Sequence, residues 1–245
     1  MRKALSKKLN GRQQMDQTAP SIPDVTYTAD MTTQEHAYLR LRQAIMVGAF
    51  PPGHRLTIRG LALDLGLSQT PIREAVRRLC SENAIEVLGN RRLRVPMMTA
   101  GRFEELIQLR TVLELHAAAR SLPHVSDIVI DRMAVIDTEL DGAVVANDPV
   151  EMTRLNQAFH RALYCLNPDQ AVMPLVESIW LQLGPFQRQM MSTHKTHYCI
   201  DRHKEILAAL RQRTLETLSQ ALVADIQEGL ALAGKDAFRE TQVPA

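Results

Sequence analysis

Four side chains in the C-terminal half could do chemistry together. Asn156 and His160 are four residues apart, which on a helix sets both on one face and lets them reach one point. His203 opens the stripe His203, Ile206, Leu207, Leu210, and Asp225 falls inward beside Leu222, Ile226 and Gly229. Imidazole nitrogens and a carboxylate oxygen together suit Zn, Mn, Ni or Fe, so Asn156, His160, His203 and Asp225 are candidate ligands of a divalent metal. By spacing alone the ordinary reading of each histidine is a hydrogen-bonded core residue. A fifth residue, Arg110, interrupts the apolar face formed by Phe103, Leu106, Ile107, Leu113 and Ala117. A guanidinium in that place needs an anion. Glu114, one turn on, is the internal candidate, and the carboxylate of a bound small molecule is the external one.

A second concentration of chemistry lies upstream and is cationic. Residues 36 to 96 hold ten arginines, no lysine and four acidic residues, whereas residues 97 to 245 hold fourteen basic and nineteen acidic ones, a division hidden in the net charge of +2. So compact an excess of arginine is the footprint of a nucleic-acid face, although basic surfaces also serve solubility. Within it, Ser68, Gln69, Thr70 and Arg73 are types that bond base edges and phosphates, with Arg77 one turn further along the same face. Arg91, Arg92 and Arg94 follow as a second basic group, suited to phosphates or the minor groove.

The elements that must position these residues can be read from pattern. Thr33 opens a helix with Ala37, Leu41, Ala44 and Ile45 on one face and Gly48 at its end, and Pro51 Pro52 Gly53 forces a turn. Thr57 can cap a short helix carrying Leu61, Ala62 and Leu65, which Gly66 breaks, and Ser68 can cap a second running through Ile72, Val76 and Leu79 to Asn83. Ala84 to Leu88 and Leu93 to Val95 then read as two short strands around Gly89 Asn90. Three helices and a hairpin make a winged helix-turn-helix, whose last helix sets its N-terminal residues in the major groove. A helical hairpin with a solvated face is the plainer alternative. Beyond Pro96 apolar residues recur at three and four spacing over 99–121, 125–146, 148–164, 170–193, 197–212 and 214–233, which predicts a six-helix or seven-helix bundle. Gly184 Pro185 inside the fourth segment should kink it.

The expected fold class is therefore mainly α. Its parts are a disordered basic arm over 1–30, a winged helix-turn-helix over 31–96, a helical effector and dimerisation domain over 97–238 and a tail over 239–245. With 245 residues, 45% hydrophobic and only 4% aromatic, collagen, disorder and all-β architectures are excluded. No apolar run approaches the roughly 20 residues of a bilayer span, and Arg2, Lys3, Lys7 and Lys8 have no apolar segment behind them to make a secretory signal. Cys80, Cys165 and Cys199 form no CxxC pair, which points to a reducing compartment, the cytoplasm by default. A metal-dependent hydrolase or lyase built on His160, His203 and Asp225 is the rival class, and the absence of HExxH, a phosphate loop or a nucleophile elbow argues against it.

The run Pro52 Gly53 His54 Arg55 Leu56, followed by Leu61 to Leu79 with its core Leu67 Ser68 Gln69 Thr70 Pro71 Ile72 Arg73 Glu74 Ala75, resembles the DNA-binding domain of GntR-type bacterial transcription regulators. That resemblance implies DNA contacts from Arg59, from position 69 and Arg73, and from the wing tip at Asn90 and Arg91. Gln69 stands where the family usually has Arg and Arg92 where it usually has Gly, so the operator is expected to differ at one base from the common palindrome. Asn156 to Leu163 and Arg202 to Leu210, with Arg110 and Glu114, resemble the ligand-binding domain of the FadR branch. Metal-binding members supply an Asp, a His four later, a His at the position of His203 and a last His. Here Asn156 holds the first place and Asp225 the last. The resemblance implies a homodimer on an inverted repeat of double-stranded DNA, with a small organic acid as effector held near Arg110, Asn156, His160 and His203. An architectural DNA-binding dimer without effector is the alternative within the same fold.

Overall fold

A computed structural model describes residues 22–89, 92–193 and 202–240. The N-terminal unit begins with α1 (Thr33–Met46), capped by the Thr32 hydroxyl on the Glu35 amide, and continues through β1 (Arg55–Leu56), α2 (Ile58–Leu65), α3 (Gln69–Ser81), β2 (Glu86–Leu88) and β3 (Arg92–Arg94). Thr57 caps α2 on the Gly60 amide and Gly66 ends it at φ 66°, a conformation open to glycine because it has no Cβ. Asn83 adopts φ 58° just after α3, the left-handed turn its sequence permits. Leu41, Ile45, Phe50, Leu61, Ile72 and Leu79 fill one core beneath these helices.

The hairpin differs in detail from expectation. Its strands run 86–88 and 92–94, because Ala84 and Ile85 turn inward to the core before pairing begins. A third strand, β1, was not foreseen; two residues are too short to show alternation. The sheet order is β1-β3-β2, all antiparallel, with Leu56 and Val87 both opposite Leu93. Ser68 occupies the N-cap of α3 in extended backbone, but its side chain makes no capping bond, a correction that leaves the hydroxyl outward.

The C-terminal unit is helical throughout its described residues: α4 (Ala100–Ser121), α5 (Asp127–Ala146), α6 (Pro149–Tyr164), α7 (Met173–Thr193), α8 (His203–Gln212), α9 (Leu215–Ile226) and α10 (Leu232–Glu240). Thr99, Ser126 and Asp148 cap α4, α5 and α6, contributions of about 1 kcal/mol each. The expected last helix is broken by a π-helical turn over Gln227–Ala231, which separates α9 from α10. Phe159, Leu163, Tyr164, Trp180, Ile206 and Leu222 lie in the bundle's main core.

The two units share a seam between α1 and α7, where Leu181 enters the N-terminal core. α7 runs as one helix through Gly184 and Pro185. A Cβ at Gly184 would overlap the Met46 carbonyl, so this glycine lets α7 approach the end of α1.

Candidate functional site

Two regions carry the residues singled out above. On the DNA-binding side, Arg59, Ser68, Gln69, Thr70, Arg73 and Arg77 are all exposed, the first five on the N-terminal turns of α2 and α3 and the loop between them and Arg77 further along α3. Pro71, Ile72, Ala75 and Val76 bury the opposite face of α3, which fixes the polar face outward. Arg73 donates to Gln69 Oε1 at 3.3 Å, aligning the two side chains, and Arg77 pairs with Glu74 at 2.7 Å. Arg59 and Arg73 enter no ion pair among the described residues. Arg94 corrects an expectation. Its guanidinium is bonded to Glu86 across the hairpin at 2.7 Å, so it braces the wing instead of pointing at phosphate. Arg92 is exposed, while Asn90 and Arg91 lie outside the described residues.

In the bundle, helical periodicity brings Asn156, His160 and Tyr164 to one face of α6. His203 meets them from the first position of α8, and Asp225 from the last turn of α9, beside the π-helical turn. His160 and His203 are wholly buried and Asp225 is 5% exposed. One ligand atom from each of these three residues lies within 4.8 Å of the others, a compact group in an interior where isolated charge is costly.

The proton positions follow from the partners. The Tyr164 hydroxyl donates to Glu114 Oε2 at 2.8 Å, so at 3.2 Å from His160 Nδ1 it can only accept, which puts the imidazole proton on Nδ1. Nε2 then turns a lone pair toward Asp225 Oδ2, 3.2 Å away, and makes no hydrogen bond among the described residues. A lone pair facing a buried carboxylate needs a cation between them or a second proton on the ring. The donor set therefore fits a divalent metal held by His160 Nε2, His203 and Asp225. Burial pushes the Asp225 carboxyl up, but when the rings are protonated a hydrogen bond from His160 and the charge of His160 and His203, with the Arg202 amide, outweigh it and hold the group below the ordinary carboxylate range.

Asn156 reaches this cluster by its amide nitrogen, 3.3 Å from His203 Nε2, which donates instead of coordinating. Arg110 is 7% exposed and gives its Nε–H to Glu114 Oε1 at 2.6 Å, so the internal partner is the one it uses. Trp180 Nε1 adds a third donor to Glu114 at 2.8 Å. Burial opposes the charge on Arg110, yet the Glu114 carboxylate holds its pKa above the usual value. Burial and the same carboxylate push the Tyr164 phenol well up.

Two contributors went unread in the sequence. Tyr164 lies four residues beyond His160 on the face already identified, and Asp137 interrupts the buried stripe Ile130, Met133, Leu140 of α5 as Arg110 interrupts that of α4. That signal was available.

Comparison with known proteins finds a match for each of the two units. Residues 33–95 match the bacterial regulatory proteins of the gntR family, and residues 105–228 match the FCD domain. The chain is 27% identical over 195 residues to the HTH-type transcriptional regulator McbR of Escherichia coli (strain K12), covering 78% of this chain and 88% of that protein. It is 27% identical over 183 residues to the Nta operon transcriptional regulator of Aminobacter aminovorans, covering 73% and 84%. Among solved structures, E. coli McbR/YncC superposes with a TM-score of 0.78 at 25% identity over 84% of this chain and 99% of that one. A GntR regulator from Rhodococcus sp. RHA1 gives 0.65 at 26% identity over 84% and 96%. With a helix-turn-helix match and an FCD match in one chain, and with transcriptional regulators as its relatives, this protein belongs to the gntR family of bacterial regulators and is a transcription regulator, not an enzyme.

Proposed function

We propose that this regulator binds an inverted repeat of double-stranded DNA as a homodimer in the cytoplasm, and that a small carboxylate bound with a divalent metal in the bundle modulates that binding. The observation that carries the metal half is His160 Nε2, a buried nitrogen without a hydrogen bond among the described residues, aimed at Asp225 beside His203. His160, His203 and Asp225 would hold the ion, with Asn156 completing the set if its amide oxygen turns inward. The ion supplies positive charge on which a carboxylate can sit. Arg110 remains near with guanidinium donors beyond the Nε–H given to Glu114, and a planar fork suits a carboxylate. On the DNA side Arg73 and Gln69 read bases, Arg59, Ser68, Thr70, Arg77 and the wing residues Asn90 and Arg91 set the register, and two-fold symmetry spaces the recognition helices one helical turn apart. Effector and DNA then change each other's affinity by the same factor.

The test has two arms. A binding selection on random duplexes should enrich an inverted repeat, and Arg73→Ala should cost about 1–3 kcal/mol and relax one base pair per half-site. Protein stripped with chelator should gain thermal stability on adding Zn, Mn or Ni, and His160→Ala and His203→Ala should each lose that gain while binding DNA as before. No enriched repeat defeats the DNA reading. No metal response in wild type defeats the metal half, and no thermal shift with small carboxylic acids either leaves an architectural dimer without effector.

A further inference from the structure

Asp137 has no role in the function just proposed, and its position gives it one. It lies on α5, a helix that supplies none of the candidate ligands, and is 4% exposed on a stripe otherwise apolar. Its Oδ1 is 3.0 Å from His203 Nδ1. Its Oδ2 faces the exposed Lys204 ammonium at 3.9 Å, and that ammonium also pairs with Asp141 at 3.2 Å. An ionised carboxylate only accepts, so the proton of His203 sits on Nδ1 and Nε2 carries the lone pair. The opposite edge of the ring agrees, because the Asn156 amide nitrogen donates to Nε2. Phe159 stacks on the ring face at 3.8 Å between centroids and 10° between planes, which removes the remaining rotation.

We propose that Asp137 is a positioning residue that fixes His203 as its Nδ1–H tautomer and strengthens Nε2 as a donor, so that α5 sets the affinity of the bundle site for a divalent cation. The inference rests on the metal reading above. A carboxylate behind the ring polarises the imidazole toward a bound cation, and loss of such an outer partner typically weakens metal binding about 10–100-fold. His160 differs in kind: its Nδ1 is backed by the neutral Tyr164 hydroxyl. Of the two imidazoles, His203 is the one backed by a carboxylate, and so the stronger donor.

The experiment uses the full chain stripped of metal, with Zn affinity measured by competition against a chromophoric chelator and Co(II) absorption as a spectroscopic readout. Asp137→Asn, which keeps the size and loses the charge, should weaken Zn about 10–100-fold and alter the Co(II) bands while the metal-free melting temperature stays near wild type. Asp137→Glu should restore part of the affinity. Nitrogen-15 NMR of the metal-free wild type, assigned against His203→Ala, should show His203 as the Nδ1–H tautomer, a readout independent of whether the variants fold. Zn binding by Asp137→Asn equal to wild type, or an Nε2–H pattern at His203, overturns the proposal and leaves the site standing. Wild type that takes neither Zn nor Co(II) overturns both together, and that failure appears before any variant is made.

Discussion

Glu114 in the bundle and Glu82 at the end of the recognition helix hold the same kinds of partner in different surroundings. Glu114 is wholly buried and accepts from Arg110, Tyr164 and Trp180 at 2.6, 2.8 and 2.8 Å. Glu82 follows α3, keeps 21% of its side chain in water, and accepts from Tyr38 at 2.6 Å and Arg42 at 3.2 Å, with Arg78 at 3.9 Å. Burial makes the first cluster a fixed point, since every charge must stay matched. Water makes the second adjustable, since each lost contact is partly replaced by solvent. The wet cluster is also the one that spans the seam. Arg42 bridges Glu82 to Glu177 of α7 at 3.3 Å, and Glu177 pairs in turn with Arg161, the residue after His160. A rigid charged core around the candidate site thus connects to the recognition helix through a chain of exchangeable ion pairs.

The largest expected effect breaks the buried cluster. Glu114→Ala strands the Arg110 guanidinium and removes the acceptor of Tyr164 and Trp180, a loss of about 3–5 kcal/mol in denaturant unfolding. Adding Arg110→Met to Glu114→Leu should recover part of it, because an apolar pair needs no matched charge, while the phenol and indole stay unpaired. A Glu114→Ala loss below about 1 kcal/mol would refute the view of this cluster as a fixed point.

A smaller effect sharpens the contrast at the seam. Arg42→Ala should cost about 1 kcal/mol at low salt and less as ionic strength rises, since its partners are partly hydrated. The double-mutant cycle of Arg42→Ala with Glu177→Gln should return a coupling below about 1 kcal/mol. A salt-independent loss of several kcal/mol would place Arg42 with Arg110 instead.

What the sequence showed of these clusters depended on distance along the chain. Asn156 with His160, and Arg110 with Glu114, are one-turn pairs, and helix geometry made each legible. The winged helix was legible for the same reason, from a cap at Thr57, breaks at Gly66 and Asn83, and a basic face on α3. Contacts that skip elements were not. Asp137 meets His203 across 66 positions and Glu82 meets Arg42 across 40, so no local period connects them. The π-helical turn after Asp225 was hidden because one extra residue per turn leaves the apolar pattern of α9 nearly intact. Arg94 was misplaced because a charge on a wing looks the same whether it faces phosphate or a cross-strand glutamate.

The smallest effect separates the two clusters by their tyrosines. Burial and then Glu82 push the Tyr38 phenol up to about 12, and burial and Glu114 push the Tyr164 phenol well up. A phenol whose folded pKa exceeds its unfolded value of about 10 adds stability that is fully present below pH 10. That stability is lost as pH rises from about 10 toward 12, because the unfolded chain ionises first. The gap in unfolding free energy between wild type and Tyr38→Phe should therefore be small and constant up to about pH 9.5, then shrink as the pH climbs. Tyr164→Phe should show a larger loss at neutral pH, since it leaves Glu114 one donor short inside the core. Absorbance at alkaline pH gives the direct check: of the four tyrosines in the chain, Tyr38 should ionise late and Tyr164 only as the fold is lost. A gap for Tyr38→Phe that stays flat from about pH 9 to 11 would mean that Glu82 does not hold this phenol, and the likeness between the two clusters would reduce to Glu114 alone.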